Sequence, residues 1–105
     1  MQPTINTSEN GYYAIEGELN NQTVPEVSQQ LMKLISSVSG KNITLDLALV
    51  SRSDSAGVAL LVEAMQLTKS ANLTLLFINL PQQMQDIAGL SGLMDILPLG
   101  ESGKS

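Results

Sequence analysis

Apolar and polar residues alternate along some stretches of the chain and recur at helical spacing along others. In residues 12–19, Tyr13, Ile15, Gly17 and Leu19 share one side while Tyr12, Ala14, Glu16 and Glu18 share the other, which predicts a half-buried strand. Gly17 inside that strand marks a bulge or a close backbone approach. Ahead of it, the turn signal Glu9-Asn10-Gly11 follows a short edge strand expected at residues 5–7. Ile43, Leu45 and Leu47 alternate with Thr44 and Asp46 and predict a second half-buried strand. Residues 73–78 are short and almost continuously apolar, as in a strand buried on both faces of a parallel sheet. Residues 96–99 predict a terminal edge strand, a position that tolerates Pro98, with 100–105 as a disordered tail.

Three helices are expected between these strands. Thr23 and Glu26 have capping-box spacing, Pro25 suits a first turn, and Val27, Leu31, Leu34, Ile35 and Val38 share a face, so a helix runs over 24–38 until Ser39-Gly40-Lys41. A second helix opens at Asp54 and Ser55, both good capping residues, and reaches about Ser70. A third starts at Asn79-Leu80-Pro81, points Met84, Ile87 and Ala88 inward, and is punctuated by Gly89 and Gly92. Strands alternating with helices imply an α/β domain with a mostly parallel sheet and right-handed crossovers.

The second helix is apolar on two sides. Val58, Leu61, Val62 and Met65 form one stripe; Ala56, Leu60, Ala64 and Leu67 form another, nearly opposite. A helix lying on a sheet needs only one such stripe. The other faces either a neighbouring helix or another protein.

Composition narrows the function. With 105 residues there is room for one core, and with 3% aromatics that core is aliphatic. The net charge is −5, and Lys33, Lys41, Arg52, Lys69 and Lys104 are scattered, so nothing resembles a basic stripe for nucleic acid or anionic lipid. Cysteine and histidine are both absent, which removes thiolate chemistry, the commonest metal ligand and the usual near-neutral proton carrier. No Gly-x-Ser-x-Gly elbow occurs, and the terminal Gly103-Lys104-Ser105 lacks both the upstream glycine and the following helix of a phosphate-binding loop. The pairs Glu16/Glu18 and Asp46/Asp54 read as solvated or capping carboxylates. The expectation is therefore no catalytic residue, no cofactor and no metal, which weighs against a small hydrolase or nucleotide-binding domain. The first residues lack the basic and apolar segments of a signal peptide, and no apolar run approaches the ~20 residues of a membrane span, so a cytoplasmic location is expected.

The stretch on which the chain turns is Asp54-Ser55-Ala56-Gly57-Val58-Ala59-Leu60-Leu61. It resembles the Asp-Ser/Thr-x-Gly-Leu-x-x-Leu signature of STAS domains, and Gly17-Glu18-Leu19 resembles the Gly-x-Leu that ends their first main strand. With Leu45-Asp46-Leu47 and Val50-Ser51-Arg52-Ser53 ahead of it, the run is more similar to the cytoplasmic STAS subunit of Mla-type phospholipid ABC transporters, and the likeness covers residues 12–99. The resemblance implies a single STAS-like α/β domain, with an N-terminal edge strand and helices mainly on one face of the sheet. A further C-terminal helix, frequent in the family, is not expected within residues 1–105. The resemblance also implies a non-enzymatic subunit that binds the transporter ATPase, maintains outer-membrane lipid asymmetry, and meets the inner membrane only through that complex. The partner face would comprise Arg52, Ser53, Asp54, Ser55, Ala56, Leu60, Ala64 and Leu67, with Gly57 letting a partner backbone come close. The alternative from the same family is an anti-sigma factor antagonist, in which Ser55 would be the phosphorylation site.

Overall fold

The computed structural model describes residues 4–9, 11–38 and 40–100. In chain order the elements are β1 (Thr4–Glu9), β2 (Tyr12–Leu19), α1 (Val24–Ser37), β3 (Asn42–Asp46), β4 (Val50–Ser53), α2 (Ser55–Ser70), β5 (Thr74–Ile78) and α3 (Gln82–Leu90). The sheet runs β1-β2-β3-β5, with β4 also beside β2. β1 is an antiparallel edge strand and every other pairing is parallel. The alternation read from the sequence sets which side chains turn inward. Tyr13, Ile15 and Leu19 of β2, Ile43 and Leu45 of β3, and Leu75 and Phe77 of β5 are buried with Val27, Leu31 and Ile35 of α1 and Met84 and Ala88 of α3. Helices cover one face of the sheet, and Glu16, Glu18, Thr74 and Leu76 lie exposed on the other.

β4 is a strand that the pattern of the sequence does not predict. Ala14 pairs with Asp46 and Gly17 with Val50, so the line formed by β3 and β4 takes one residue more than β2 over this interval. A second slip follows between Gly17 and Glu18. The first extra residue is taken up at Leu47-Ala48-Leu49, where the Val50 N–H donates to Leu47 O at 3.1 Å and the Gly17 N–H to Leu49 O at 3.2 Å, and the second is Ser51. Gly17 has φ 117°, a conformation that a side chain opposes, and it stands opposite the point where the partner strand takes its extra residues. The slips break the alternation, leaving Ser51 and Arg52 both exposed, so period-two patterning carries no signal there.

Four smaller expectations change. Residues 73–78 are not buried on both faces: Leu76 is 38% exposed, because the helices lie on one side only. Residues 96–99 make a single parallel bridge, Leu99 with Phe77, since Pro98 has no N–H with which to extend the ladder. Gly100 is fixed by donating to Phe77 O at 2.8 Å, while 101–105, the rest of the expected tail, lie outside the described residues. Thr23 makes no capping box; its hydroxyl accepts from the Asn20 N–H at 2.9 Å and donates to Glu18 O at 2.8 Å, which pins the β2–α1 loop instead.

Asp46, the last residue of β3, ties the start of β2 to the end of β5. It accepts hydrogen bonds from the Tyr12 hydroxyl of β2, from Asn79 Nδ2 beyond β5 at 3.0 Å, and from the Ala48 N–H at 2.9 Å. Partial burial pushes its pKa up, but the bonds from Tyr12, Asn79 and Ala48 outweigh this and hold it below the ordinary carboxylate value. A carboxyl that titrates lower folded than unfolded stabilises fully above its unfolded value, about 3.9, and loses that contribution as pH falls through the folded value. The stability difference between wild type and Asp46→Ala, measured by urea unfolding, should stay constant between about pH 7 and 5 and shrink below about pH 4. A gap that widens on acidification would contradict this assignment.

Candidate protein-binding site

Asp54 caps α2. Its backbone is extended, φ −105° and ψ −162°, and its Oδ1 accepts from the Ala56 N–H at 2.8 Å. Ser55, the first helical residue, is exposed, and no described residue hydrogen-bonds its hydroxyl. The two residues expected to share the cap therefore divide their roles: Asp54 holds the helix and Ser55 presents a hydroxyl to solvent in the positive field of the helix start.

The turn behind Ser55 is bound tightly to the sheet. The Asp54 N–H donates to Leu19 O at 3.2 Å, Ser53 Oγ donates to Asp54 O at 3.0 Å, and the Ser53 N–H donates to Gln83 Oε1 of α3 at 2.7 Å. Gly57 closes this packing. A Cβ there would lie 2.0 Å from Ser53 Oγ and 3.1 Å from Leu19 Cβ. The close approach that Gly57 permits is thus made by the chain's own β2 and β4, and the expectation of a partner backbone at this glycine is corrected.

The structure also separates the expected partner face. Arg52, Asp54 and Ser55 are exposed and Ala56 is half-buried, so these remain together at the surface of the turn. Ser53 is buried at 4% exposure, behind the turn. Leu60 and Ala64 are buried at 2% and 1%, and Leu67 is half-buried against the same core. The second apolar stripe of α2 is therefore core, because α2 lies between α1 and α3 and both flanks are covered.

What α2 leaves uncovered is an arc beside its first stripe, with Val62 at the edge of both. Ser55, Ala59, Val62 and Gln66 follow at steps of four, three and four residues, and they line a groove of about 580 Å³ together with Val24 of α1 and Ile87 and Leu93 from α3 and the segment after it. Val62 belongs to the first apolar stripe read from the sequence, and counting helical turns from Ser55 reaches Ala59 and Gln66 beside it. Glu63, on the same wall, accepts from Ser28 Oγ at 2.7 Å and links α1 to α2. Leu90, at the end of α3 beside Ser91 of the groove, is 91% exposed. A small hydroxyl at a helix start, opening onto a mostly apolar groove, suits recognition of a protein surface. Among the described residues no three carboxylates gather as a metal site, and no helix is long and apolar enough to cross a membrane.

A family model described as "Mlab, STAS domain" matches residues 6–98. The chain belongs to the STAS domain family. Several solved structures share its fold. The anti-sigma factor antagonist SpoIIAA in its unphosphorylated form superposes with a TM-score of 0.74 at 17% identity, covering 97% of this chain and 89% of that one. The Bacillus cell fate determinant SpoIIAA in its phosphorylated form gives a TM-score of 0.70 at 18% identity, covering 97% and 92%. A crystal structure of a protein from Thermotoga maritima gives 0.73 at 14% identity, covering 92% and 84%. Sequence comparison with curated proteins found no match.

The division of roles at the turn is measurable. Asp54→Ala should cost about 1 kcal/mol of unfolding free energy. Ser55→Ala should cost within about 0.5 kcal/mol, as exposed substitutions do. Gly57→Ala should cost about 1–3 kcal/mol by overpacking. Denaturant midpoints at fixed slope rank the three, and equal losses for Asp54→Ala and Ser55→Ala would refute the assignment of the cap.

Proposed function

We propose that this STAS domain is the accessory subunit that binds the ATPase of an Mla-type phospholipid ABC transporter and supports its assembly or activity. In this reading it acts by binding and not by catalysis, sits in the cytoplasm, and reaches the inner membrane through its partner. The observation that carries the proposal is the exposed Ser55 hydroxyl at the start of α2, opening onto the groove walled by α1 and α3. The match to the family described as "Mlab, STAS domain" supports the transporter branch. Arg52, Asp54, Ser55 and Ala56 form the rim of the contact, and Ala59, Val62, Ile87 and Leu93 supply its apolar floor and wall. No side chain that the sequence lacks has to be invoked, since binding through a groove needs neither histidine nor cysteine.

A second reading, anti-sigma factor antagonist, draws on the solved structures above, one of which is described as a phosphorylated form. Phosphate on Ser55 would meet the positive end of α2 but would also stand beside the Asp54 carboxylate. Under this reading a partner kinase transfers phosphate to Ser55, and Ser55→Ala abolishes incorporation.

The transporter reading makes a quantitative demand. Ser55→Glu places a charge where the partner meets a neutral hydroxyl, so affinity for the purified ATPase subunit should fall about tenfold or more. Leu90→Glu, on a side chain already in water, should also weaken capture. Both variants should keep their thermal midpoints within about 4 °C of wild type, below the shift expected for a loss of 1 kcal/mol. Wild-type affinity in both variants would remove this face from the contact.

A further inference from the structure

Among the described residues, the bond between the Ser53 N–H and Gln83 Oε1 is the hydrogen bond that ties the β4–α2 turn to the far wall of the groove. β4 pairs with β2 alone. On its other flank β5 has already ended at Ile78, and the chain has left through Leu80 and Pro81 into α3. The Ser53 N–H is thus a strand donor with no strand to receive it, on a residue only 4% exposed. A buried donor of this kind requires an acceptor. The acceptor is a side chain, Gln83 Oε1 at 2.7 Å, from the second residue of α3. Gln83 itself is exposed, so its own burial does not explain its place.

Two consequences follow from where this bond sits. Ser53 is followed directly by Asp54 and Ser55, so its backbone sets where the α2 start stands. Ile87 lies one helical turn after Gln83 and lines the groove opposite Ser55. The geometry points to Gln83 as a positioning residue that fixes the spacing between the Ser55 hydroxyl and the α3 wall, so that a partner reads the two as one surface. The inference rests on the partner reading proposed above and adds to it a residue that itself lies outside the groove lining.

The test uses two substitutions in the full chain. Gln83→Met keeps length and packing but has no acceptor, whereas Gln83→Glu keeps an oxygen acceptor at the same reach. In Gln83→Met the Ser53 amide proton should exchange with solvent about tenfold faster or more, as expected when a protecting bond is lost. Affinity for the purified transporter ATPase subunit should fall by a similar factor. Gln83→Glu should hold Ser53 exchange and partner affinity within about threefold of wild type, a rescue that generic destabilisation of α3 would not give. Unchanged Ser53 exchange in Gln83→Met would overturn the inference at its source. Faster exchange with undiminished capture, while Ser55→Glu still loses the partner, would refute the positioning role and leave the partner reading standing. Undiminished capture in both Gln83→Met and Ser55→Glu would sink the two together.

Discussion

β2 hydrogen-bonds to two successive segments along the same flank, and the rest of the site depends on that arrangement. Its first half pairs with β3 and its last residues with β4, and the register slips between them. A continuous strand would have carried Leu47 onward in the plane of β3. The slip instead lets the chain step outward at Leu47-Ala48-Leu49 and resume beside Gly17, so that Ser53 and Asp54 arrive next to Leu19. Only from there can α2 begin against the sheet with Gly57 touching both Leu19 and Ser53. The backbone freedom of Gly17 and the missing Cβ of Gly57 are therefore two halves of one constraint: one admits the bulge, the other the close packing that follows it.

That packing explains why the start of α2 is firm enough to be read by another protein. Asp54 is held by Leu19 through its N–H and holds Ala56 through its carboxylate, and Ser53 is bonded from both its amide and its hydroxyl. Ser55 projects from this knot without being part of it. A residue whose own bonds do not stabilise the fold can change charge or partner without disturbing the domain, which suits a contact that is regulated or exchanged.

The fold was legible in the sequence wherever burial is one-sided and regular. The alternation Tyr13-Ile15-Gly17-Leu19 and Ile43-Leu45-Leu47, and the spacing Val27-Leu31-Ile35, survive intact because each element presents one face to a single core. β4 was not legible, because two register slips leave adjacent residues facing the same way and its composition, Val-Ser-Arg-Ser, is that of a loop. The turn at Asp54 and Ser55 could be located from cap chemistry and from resemblance to the STAS signature. The surface around it could not. Leu60 and Ala64 look like a spare apolar stripe in one dimension and are core in three, since flanking by α1 and α3 is a tertiary fact. The open arc of Ser55, Ala59, Val62 and Gln66 is weakly hydrophobic and stands out only once the neighbours are in place.

The single residue of pairing that Leu99 adds to β5 bears on how this sheet avoids growing. Open strand margins invite further strands from other molecules. Beyond β5, Pro98 stops the added ladder after one bridge at Phe77, so no second strand continues the sheet there. At the opposite margin the pairing of β1 is irregular between Thr7 and Glu9, and the Ile5 N–H is received at 3.3 Å by Gln30 Oε1 from α1. A glutamine reaching from a helix thus stands in for an absent strand at β1, as another does at β4. Both margins thus carry a local interruption, which shortens the run of free backbone that a strand from another molecule could join.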